Sequence, residues 1–100
     1  MSKVTMAGTF KCQDGKNDEM DAALQAMVAE VGKAEGVEFY SYSKGEGNEY
    51  SFFALFTTMD AVQGHGQGEA MEAAHQQFMS LLDGPPSAGM NSPVAVYVAG

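Results

Sequence analysis

Hydrophobic and polar residues alternate along the segment from Lys3 to Cys12. The apolar positions on one side of an extended chain are Val4, Met6, Phe10 and Cys12. A period of two is that of a β-strand with one face buried, so this segment is predicted as the first strand. Turn residues follow from Asp14 to Lys16. Asn17 is then the predicted N-cap of a helix, because its side chain can accept a hydrogen bond from the first helical turn.

The next segment has the spacing of an amphipathic helix. Its apolar positions, three or one residues apart, are Met20, Ala23, Leu24, Met27, Val28 and Val31. At about 100° per residue these positions form one stripe, and the predicted helix runs to about Ala34. Gly36 ends it, since glycine adopts the left-handed conformation of a helix C-terminus without a Cβ clash.

Two aromatic-rich segments separated by a turn follow this helix. Residues Val37 to Lys44 and Tyr50 to Thr57 have the composition of strands, and residues 45–48 between them are Gly-Glu-Gly-Asn. The two segments are predicted as an antiparallel hairpin. Met59 to Gly64 is predicted as a short helical turn, and the glycines at positions 64, 66 and 68 interrupt any longer helix.

A second long helix is predicted from about Glu69 to Leu82. The positions that share one face of it are Met71, Ala74, His75, Phe78 and Leu82. This phase places His75 within the apolar stripe and predicts that its ring is partly buried. The Gly-Pro-Pro sequence at residues 84–86 stops the helix, because proline has no N–H to donate. A polar loop to Pro93 and a last strand from Val94 to Val98 complete the prediction.

The order of these elements is βαββαβ. It predicts an α+β, ferredoxin-like fold in one domain, residues 1–100, with a four-stranded antiparallel sheet and both main helices on one face. Phe53 and Leu55 alternate with Phe52 and Phe56, so both faces of their strand are apolar. A second copy of the chain is the simplest cover for the open face, and a homodimer is predicted.

The charge balance argues against several classes of partner. Thirteen acidic residues against five basic ones give a formal net charge of −8, the wrong sign for neutralising a phosphate backbone, so nucleic acid is not expected to bind. All five basic residues are lysines, and dinucleotides or anionic porphyrins would find no guanidinium group to hold them. The acidic residues of the helices, Glu72 among them, are expected on solvated faces.

The single cysteine, Cys12, excludes an intramolecular disulfide and the cysteine spacing of structural zinc sites. It is expected to pack in the core, and one free cysteine favours a reducing compartment, so a cytoplasmic location is expected. Residues 1–9 lack the pattern of an export signal, and no run approaches the length of about 18 apolar residues typical of a membrane span.

Five stretches of the chain match a known pattern. They are residues 15–20 (Gly-Lys-Asn-Asp-Glu-Met), Glu35 to Val37 before Phe39 and Tyr40, the strand that ends at Phe56, Met59 to His65, and Leu82 to Pro86. Over nearly its whole length the chain resembles the antibiotic biosynthesis monooxygenase family of dimeric α/β barrels. The resemblance implies a homodimer whose two sheets face each other, with a pocket in each subunit between the sheet and its helices.

Members of that family differ in their chemistry. Some oxidise polycyclic phenols or quinols with O2 alone, others degrade haem or isomerise small molecules, and others have no assigned activity, so the fold does not settle the reaction. The haem-degrading branch places a tryptophan at about the position of Phe56, and this chain contains no tryptophan. Haem turnover is therefore not expected, and the resemblance implies an oxygenase without a cofactor.

Oxidation without a cofactor makes specific demands on a site. Because O2 is a triplet, the enzyme must first form a substrate anion that can donate one electron, which needs a base for a phenolic proton and a donor to the oxyanion. The resemblance places a pocket histidine at His65, and histidine exchanges protons near neutral pH. Tyr40 is the predicted assisting donor. The alternative is that His65 is a solvated loop residue with no part in proton transfer.

The remaining candidates are predicted to bind the substrate. They are His75, Tyr42, Tyr50, Phe52, Phe56, Met6 and Met59. Tyrosines can donate to a substrate oxygen, phenylalanines can stack on its ring, and methionines adapt to its shape. The alternative for the aromatic residues is core or dimer packing, and a histidine on an apolar helix face is often a core residue. The two histidines are ten positions apart, which is not the spacing of a zinc pair, so no metal site is expected.

The leading hypothesis is a monooxygenase that oxidises a small aromatic phenol or quinol, with His65 as base or donor. The first alternative is a non-catalytic dimeric barrel that binds a small apolar ligand, which the absence of tryptophan and arginine favours. The second alternative is an isomerase that uses the same histidine for proton transfer. An enclosed cavity reached by His65 would favour an enzyme over a binding module.

Overall fold

The computed structural model describes residues 3–65 and 67–99 of the chain. Its elements, in order, are β1 (Val4–Lys11), α1 (Asn17–Val31), β2 (Val37–Lys44), β3 (Glu49–Phe56), α2 (Met59–Gly64), α3 (Glu69–Ser80) and β4 (Ser87–Asn91). The strands form one antiparallel sheet in the order β2-β3-β1-β4, which is not closed into a barrel within the described chain. The predicted α+β ferredoxin-like arrangement is confirmed.

The strand register sorts side chains onto two faces of the sheet. Val4 lies opposite Phe56 and Phe10 opposite Tyr50, so these four residues share the face that the helices cover. Phe10 is central: its ring stacks on Tyr50 at 5.2 Å between centroids and meets Phe78 of α3 edge-on at 5.0 Å. The core therefore lies between the sheet and the pair α1 and α3.

The buried stripe of α1 follows the predicted phase. Its buried residues are Met20, Ala23, Leu24, Met27 and Val31. Val28 is the exception, since it is 37% exposed at the edge of the stripe. The helix ends at Val31, three residues before the predicted Ala34, and Gly36 has a φ of 82° in the turn that follows.

The predicted N-cap of α1 is wrong. Asn17 is the first helical residue, and Lys16 precedes it without a capping side-chain hydrogen bond. The Asn17 amide instead donates to the Gly47 carbonyl oxygen and to the Tyr50 hydroxyl, both at 3.2 Å. Since these partners lie in the hairpin, a tertiary contact has replaced the local cap that the sequence favours.

The two later helices match the prediction with small shifts. Thr58 caps α2, because its Oγ1 accepts a hydrogen bond from the Ala61 N–H at 3.2 Å. Helix α2 ends at Gly64 and α3 begins at Glu69, while Gly66 lies outside the described residues. Helix α3 ends at Ser80, two residues before the predicted end at Leu82.

The last strand lies earlier in the chain than the hydrophobic pattern predicts. Ser87–Asn91 pairs with β1, whereas the predicted strand from Val94 to Val98 has no strand structure, and Val94 is fully exposed. Gly8 of β1 explains the position of β4, because a Cβ there would lie 1.9 Å from the Ser87 carbonyl oxygen. The absence of a side chain at Gly8, rather than apolar side chains in the last strand, permits this pairing.

The face of the sheet away from the helices is apolar and only partly covered. Phe39 and Phe53 lie on it, 52% and 42% exposed, with ring centroids 6.0 Å apart. The tail after β4 passes beside them, and a groove of about 540 Å³ separates the two rings from Val96 and Tyr97. Among the described residues, no helix is long and apolar enough to cross a membrane.

Candidate active site

A partly enclosed cavity of about 560 Å³ lies between the sheet and the helices. Its apolar wall has aromatic residues from β2, β3 and α3 and methionines from β1, α1 and α3. The aromatic members are Tyr40, Tyr42, Phe52 and Phe78, and the methionines are Met6, Met27 and Met71. Such a wall has the size and the chemistry of a site for a small aromatic ligand.

Four polar side chains reach this cavity in addition to the tyrosines. His65 comes from the end of α2, and Glu72, His75 and Gln76 come from α3. Because residues three and four apart share a helix face, Glu72 brings a carboxylate to the same wall as His75 and Gln76. The polar groups are thus concentrated on the helical side, while the sheet contributes aromatic rings and hydroxyls.

The His65 ring is held in a defined orientation. Its Nδ1 is hydrogen-bonded to the Val62 carbonyl oxygen in the last turn of α2. Its ring packs against Phe56 at 5.0 Å and Tyr40 at 5.7 Å between centroids. A carbonyl oxygen can only accept, so Nδ1 carries the proton and Nε2 of the neutral ring keeps its lone pair. That lone pair can accept a proton from a ligand.

Tyr40 and Tyr42 form a pair on the sheet side of the cavity. Their hydroxyl oxygens are 3.1 Å apart, and their rings meet edge-on at 5.5 Å. Burial raises the pKa of both phenols, and the neighbouring Tyr40 raises the pKa of Tyr42 further. Both hydroxyls are therefore neutral donors at physiological pH. Only one proton can lie between the two oxygens, so the other hydroxyl proton is free for a ligand.

His75 is not buried as its helical phase predicted. It is exposed at the edge of α3 and lines the cavity, with its ring 5.9 Å from that of Phe78. The buried stripe of α3 consists of Met71, Ala74 and Phe78, so the helix is turned with His75 toward the cavity opening.

Three other candidates lie outside the cavity lining. Phe56 is completely buried beneath the His65 ring, and Met59 is 43% exposed at the start of α2. Tyr50 faces another groove, where its hydroxyl donates to Asp21 Oδ1 at 2.7 Å. The structure therefore brings together His65, His75, Tyr40, Tyr42, Phe52 and Met6 and leaves out Tyr50, Phe56 and Met59.

The sequence analysis missed several lining residues. Glu72 is exposed and Met27 and Met71 are buried in the core, as expected, but all three also line the cavity, which was not predicted. Gln76 and Ala88 were not predicted to line it, and Pro86 was predicted only to end the second long helix. The position of Glu72 three residues before His75 was the available signal, since it places both on one helix face.

Two further features concern possible metal ligands and the thiol of Cys12. Among residues 3–65 and 67–99, no group of three or more His, Cys, Asp or Glu side chains is arranged to hold a metal ion. Cys12 is completely buried near the far end of the core, and burial raises the pKa of its thiol. A protonated, inaccessible thiol is a packing residue rather than a nucleophile.

Comparison with known proteins places this fold among solved relatives. A candidate antibiotic biosynthesis monooxygenase from Caulobacter crescentus is 22% identical with a TM-score of 0.86, covering 94% of this chain and 92% of that one. SnoaB, a cofactor-independent oxygenase from Streptomyces nogalater, is 14% identical with a TM-score of 0.83, covering 96% and 97%. A Nitrosomonas europaea protein of unknown function is 17% identical with a TM-score of 0.85, covering 100% and 97%.

At these identities the structural likenesses show the fold alone. No curated protein sequence matches the chain. The family model described as antibiotic biosynthesis monooxygenase matches residues 3–77, a range that includes both histidines and the whole hairpin. The chain belongs to the antibiotic biosynthesis monooxygenase family.

Proposed function

We propose that this protein is a cofactor-independent monooxygenase that oxidises a small aromatic phenol or quinol with O2. The observation that carries the proposal is His65, whose Nδ1–H donates to the Val62 carbonyl oxygen while its ring lines an aromatic cavity. Membership of the family supports it, as does the likeness to the Streptomyces oxygenase.

In the proposed reaction the substrate ring lies among Phe52, Phe78 and the cavity methionines. Nε2 of His65 removes the phenolic proton, and the Tyr40 hydroxyl donates a hydrogen bond to the resulting oxyanion. The raised pKa of Tyr40, which follows from its burial, keeps that hydroxyl protonated. The Tyr42 hydroxyl oxygen lies 3.1 Å from that of Tyr40, and in the proposed reaction Tyr42 is the donor of this pair, which leaves the Tyr40 proton free for the substrate.

The anion then supplies the electrons that O2 needs. One electron passes from the substrate anion to O2, and recombination of the two radicals forms a carbon–oxygen bond and a peroxide. The imidazolium of His65 returns its proton to the distal peroxide oxygen. Loss of the ring C–H proton with cleavage of the O–O bond releases water and leaves a carbonyl, so one oxygen atom enters the product and the other leaves as water.

The proposed working unit is a homodimer of single-domain chains in the cytoplasm. The exposed rings of Phe39 and Phe53 on the open sheet face support the dimer. The free, buried thiol of Cys12 is compatible with a reducing compartment.

An isomerase is the second candidate, because the free lone pair of His65 suits proton transfer without oxygen. The two reactions differ in one observable, since only the oxygenase consumes O2. A non-catalytic binding module is the third candidate, and the cavity with an oriented imidazole counts against it.

The deciding experiment is oxygen uptake by metal-stripped protein over a panel of hydroquinones, naphthols and anthrols. We expect uptake with at least one member, with one water formed per O2 and no requirement for added flavin or metal. Binding without uptake across the panel would favour the binding module. Product formation without O2 consumption would favour the isomerase.

A further inference from the structure

The charges around the cavity are unevenly distributed. Each of the five lysines lies within 4 Å of a carboxylate elsewhere on the chain, in the pairs Lys3–Glu38, Lys11–Glu49, Lys16–Glu19, Lys33–Glu30 and Lys44–Asp21. None of these lysines lines the cavity, and the chain contains no arginine. Among the described residues, the acidic side chain in the lining is that of Glu72.

Glu72 itself is free of an ion pair within the described part of the chain. Glu69, one turn earlier on α3, is also acidic and exposed, but it does not line the cavity. Glu69 and Glu72 are thus both acidic, exposed residues of α3, but only Glu72 lines the cavity. This difference provides a matched pair for experiment.

We propose that Glu72 makes the cavity selective for aromatic substrates that lack an anionic substituent. The inference rests on the proposed function only in taking the ligand to be a small phenol or quinol. A neutral ring with a hydroxyl group finds the tyrosine hydroxyls and His65 as partners. A carboxylate on the same ring would lose water, meet the negative charge of Glu72 and find no lysine or arginine to offset either effect.

Glu72 is exposed at the cavity wall, so solvent screens its charge in part, and its effect depends on its short distance from a ligand in the cavity. Two like charges several ångströms apart in a partly solvated site change affinity by about tenfold. The net charge of −8 adds a weaker, salt-dependent repulsion that every surface carboxylate shares. Substitution of Glu72 therefore removes more of the discrimination than substitution of Glu69.

The test uses two ligands that differ by one carboxylate, 2-naphthol and 6-hydroxy-2-naphthoate. Their dissociation constants are measured by calorimetry under argon at about pH 8, so that no oxidation occurs and the naphthol stays neutral. We expect the wild type to bind 2-naphthol about tenfold more tightly than the carboxylate. Glu72→Gln should narrow this ratio to about threefold or less, Glu72→Lys should reverse it, and Glu69→Gln should leave it unchanged.

Equal affinities of the wild type for the two ligands would overturn the proposal, as would binding of neither. Equal narrowing in Glu69→Gln and Glu72→Gln would overturn the assignment to Glu72 and leave only the overall charge. The binding measurement does not depend on turnover. If the protein discriminates between the two ligands but consumes no O2 in the uptake assay, the proposed oxygenase function is wrong and the selectivity proposal stands. If O2 is consumed with neutral and carboxylated quinols at equal kcat/KM, the selectivity proposal is wrong and the proposed oxygenase function stands.

Discussion

The carbonyl oxygen of Val62 determines how His65 can act. By accepting from Nδ1, it selects the tautomer whose Nε2 lone pair is available to a ligand. Phe56 and Tyr40 also pack against the ring, with centroids 5.0 Å and 5.7 Å away. The hydrogen bond lies within one turn of α2, so a short helix capped by Thr58 is enough to orient the base.

His65→Ala should lower kcat/KM for the best quinol by about 10²- to 10⁴-fold, since a positioned base is removed. Its folding should be kept, because His65 follows a short helix at the edge of the core. His75→Ala is the comparison: the side chain is exposed at the cavity opening, so stability should change little, and turnover should fall much less than in His65→Ala. Steady-state oxygen uptake and a urea melt of each variant provide the measurements. Full activity in His65→Ala, with activity lost in His75→Ala, would reverse the assignment.

Hydrogen bonds of Asp21 connect helix α1 to the hairpin. The two carboxylate oxygens of Asp21 accept from Lys44 Nζ at 2.6 Å and from the Tyr50 hydroxyl at 2.7 Å. These two hydrogen bonds hold the pKa of Asp21 below its ordinary value, while burial and the bond to Asp21 raise the pKa of Tyr50 to about 12. Together with the Asn17 amide, this network joins the start of α1 to both strands of the hairpin.

The lowered pKa of Asp21 predicts a pH dependence of stability. Ionised Asp21 stabilises the folded state in full above the unfolded pKa of about 3.9, and this contribution is lost as pH falls through the lower folded-state pKa. Asp21→Asn has no such charge to lose, so its free energy of unfolding should fall less than that of the wild type between about pH 5 and about pH 2.5. Urea titrations across this range measure the difference. Parallel curves for the wild type and Asp21→Asn would contradict the prediction.

The pairing of β1 with β4 depends on close backbone approach. At Gly8 an added Cβ would lie 1.9 Å from the Ser87 carbonyl oxygen and 2.9 Å from the Ala88 Cα. These atoms belong to the backbone, so they cannot move aside without shifting the strand. At Gly89 of β4, by contrast, an added Cβ would meet no heavy atom within 4 Å.

Gly8→Ala should therefore destabilise the protein by about 1–3 kcal/mol or more, through strain and a displaced β4. Gly89→Ala makes the same chemical change in the paired strand and should alter stability by no more than about 1 kcal/mol. Urea unfolding of the two variants against the wild type gives both values. Similar losses at the two glycines would mean that the close contact at Gly8 does not limit the pairing.

At the scale of the whole molecule, the main feature is the apolar face of the sheet that the helices leave open. Phe53 projects from β3 on this face and is 42% exposed, and the adjoining groove is lined by the apolar tail. The proposed homodimer would bury this surface, and an obligate interface of this kind buries at least about 2,000 Å² in total. In the proposed dimer, a second copy of the chain would cover the apolar face that the helices leave open.

Sedimentation velocity at micromolar concentration should show a dimer for the wild type and a monomer for Phe53→Glu, which places a charge on the open face. Met79→Glu is the control, since Met79 is similarly exposed at 48% but lies on α3, on the other side of the sheet. It should remain a dimer. A wild-type species at the monomer mass of 10.6 kDa would contradict the proposed dimer.

Much of the fold could be predicted from the sequence because its signals are local. The period of two in β1, the three-and-one spacing in α1 and the turn chemistry at residues 45–48 each depend on neighbours in the chain. The predictions of an Asn17 cap and of the position of the last strand were wrong because both depend on contacts between residues distant in sequence. Asn17 found hairpin partners, and the position of β4 depends on contact with Gly8, which is about 80 residues away in sequence.

The candidate site was only partly predictable for the same physical reason. The family resemblance pointed to His65, whereas residue chemistry alone pointed to the tyrosines and the aromatic hairpin, because the type of a side chain is a local property. Tertiary docking alone decided that Tyr50 turns to Asp21, that Phe56 lies beneath His65 and that Glu72 reaches the cavity. Which side chains share one cavity depends on strand register and on the rotation of α3 against the sheet, and long-range packing sets both.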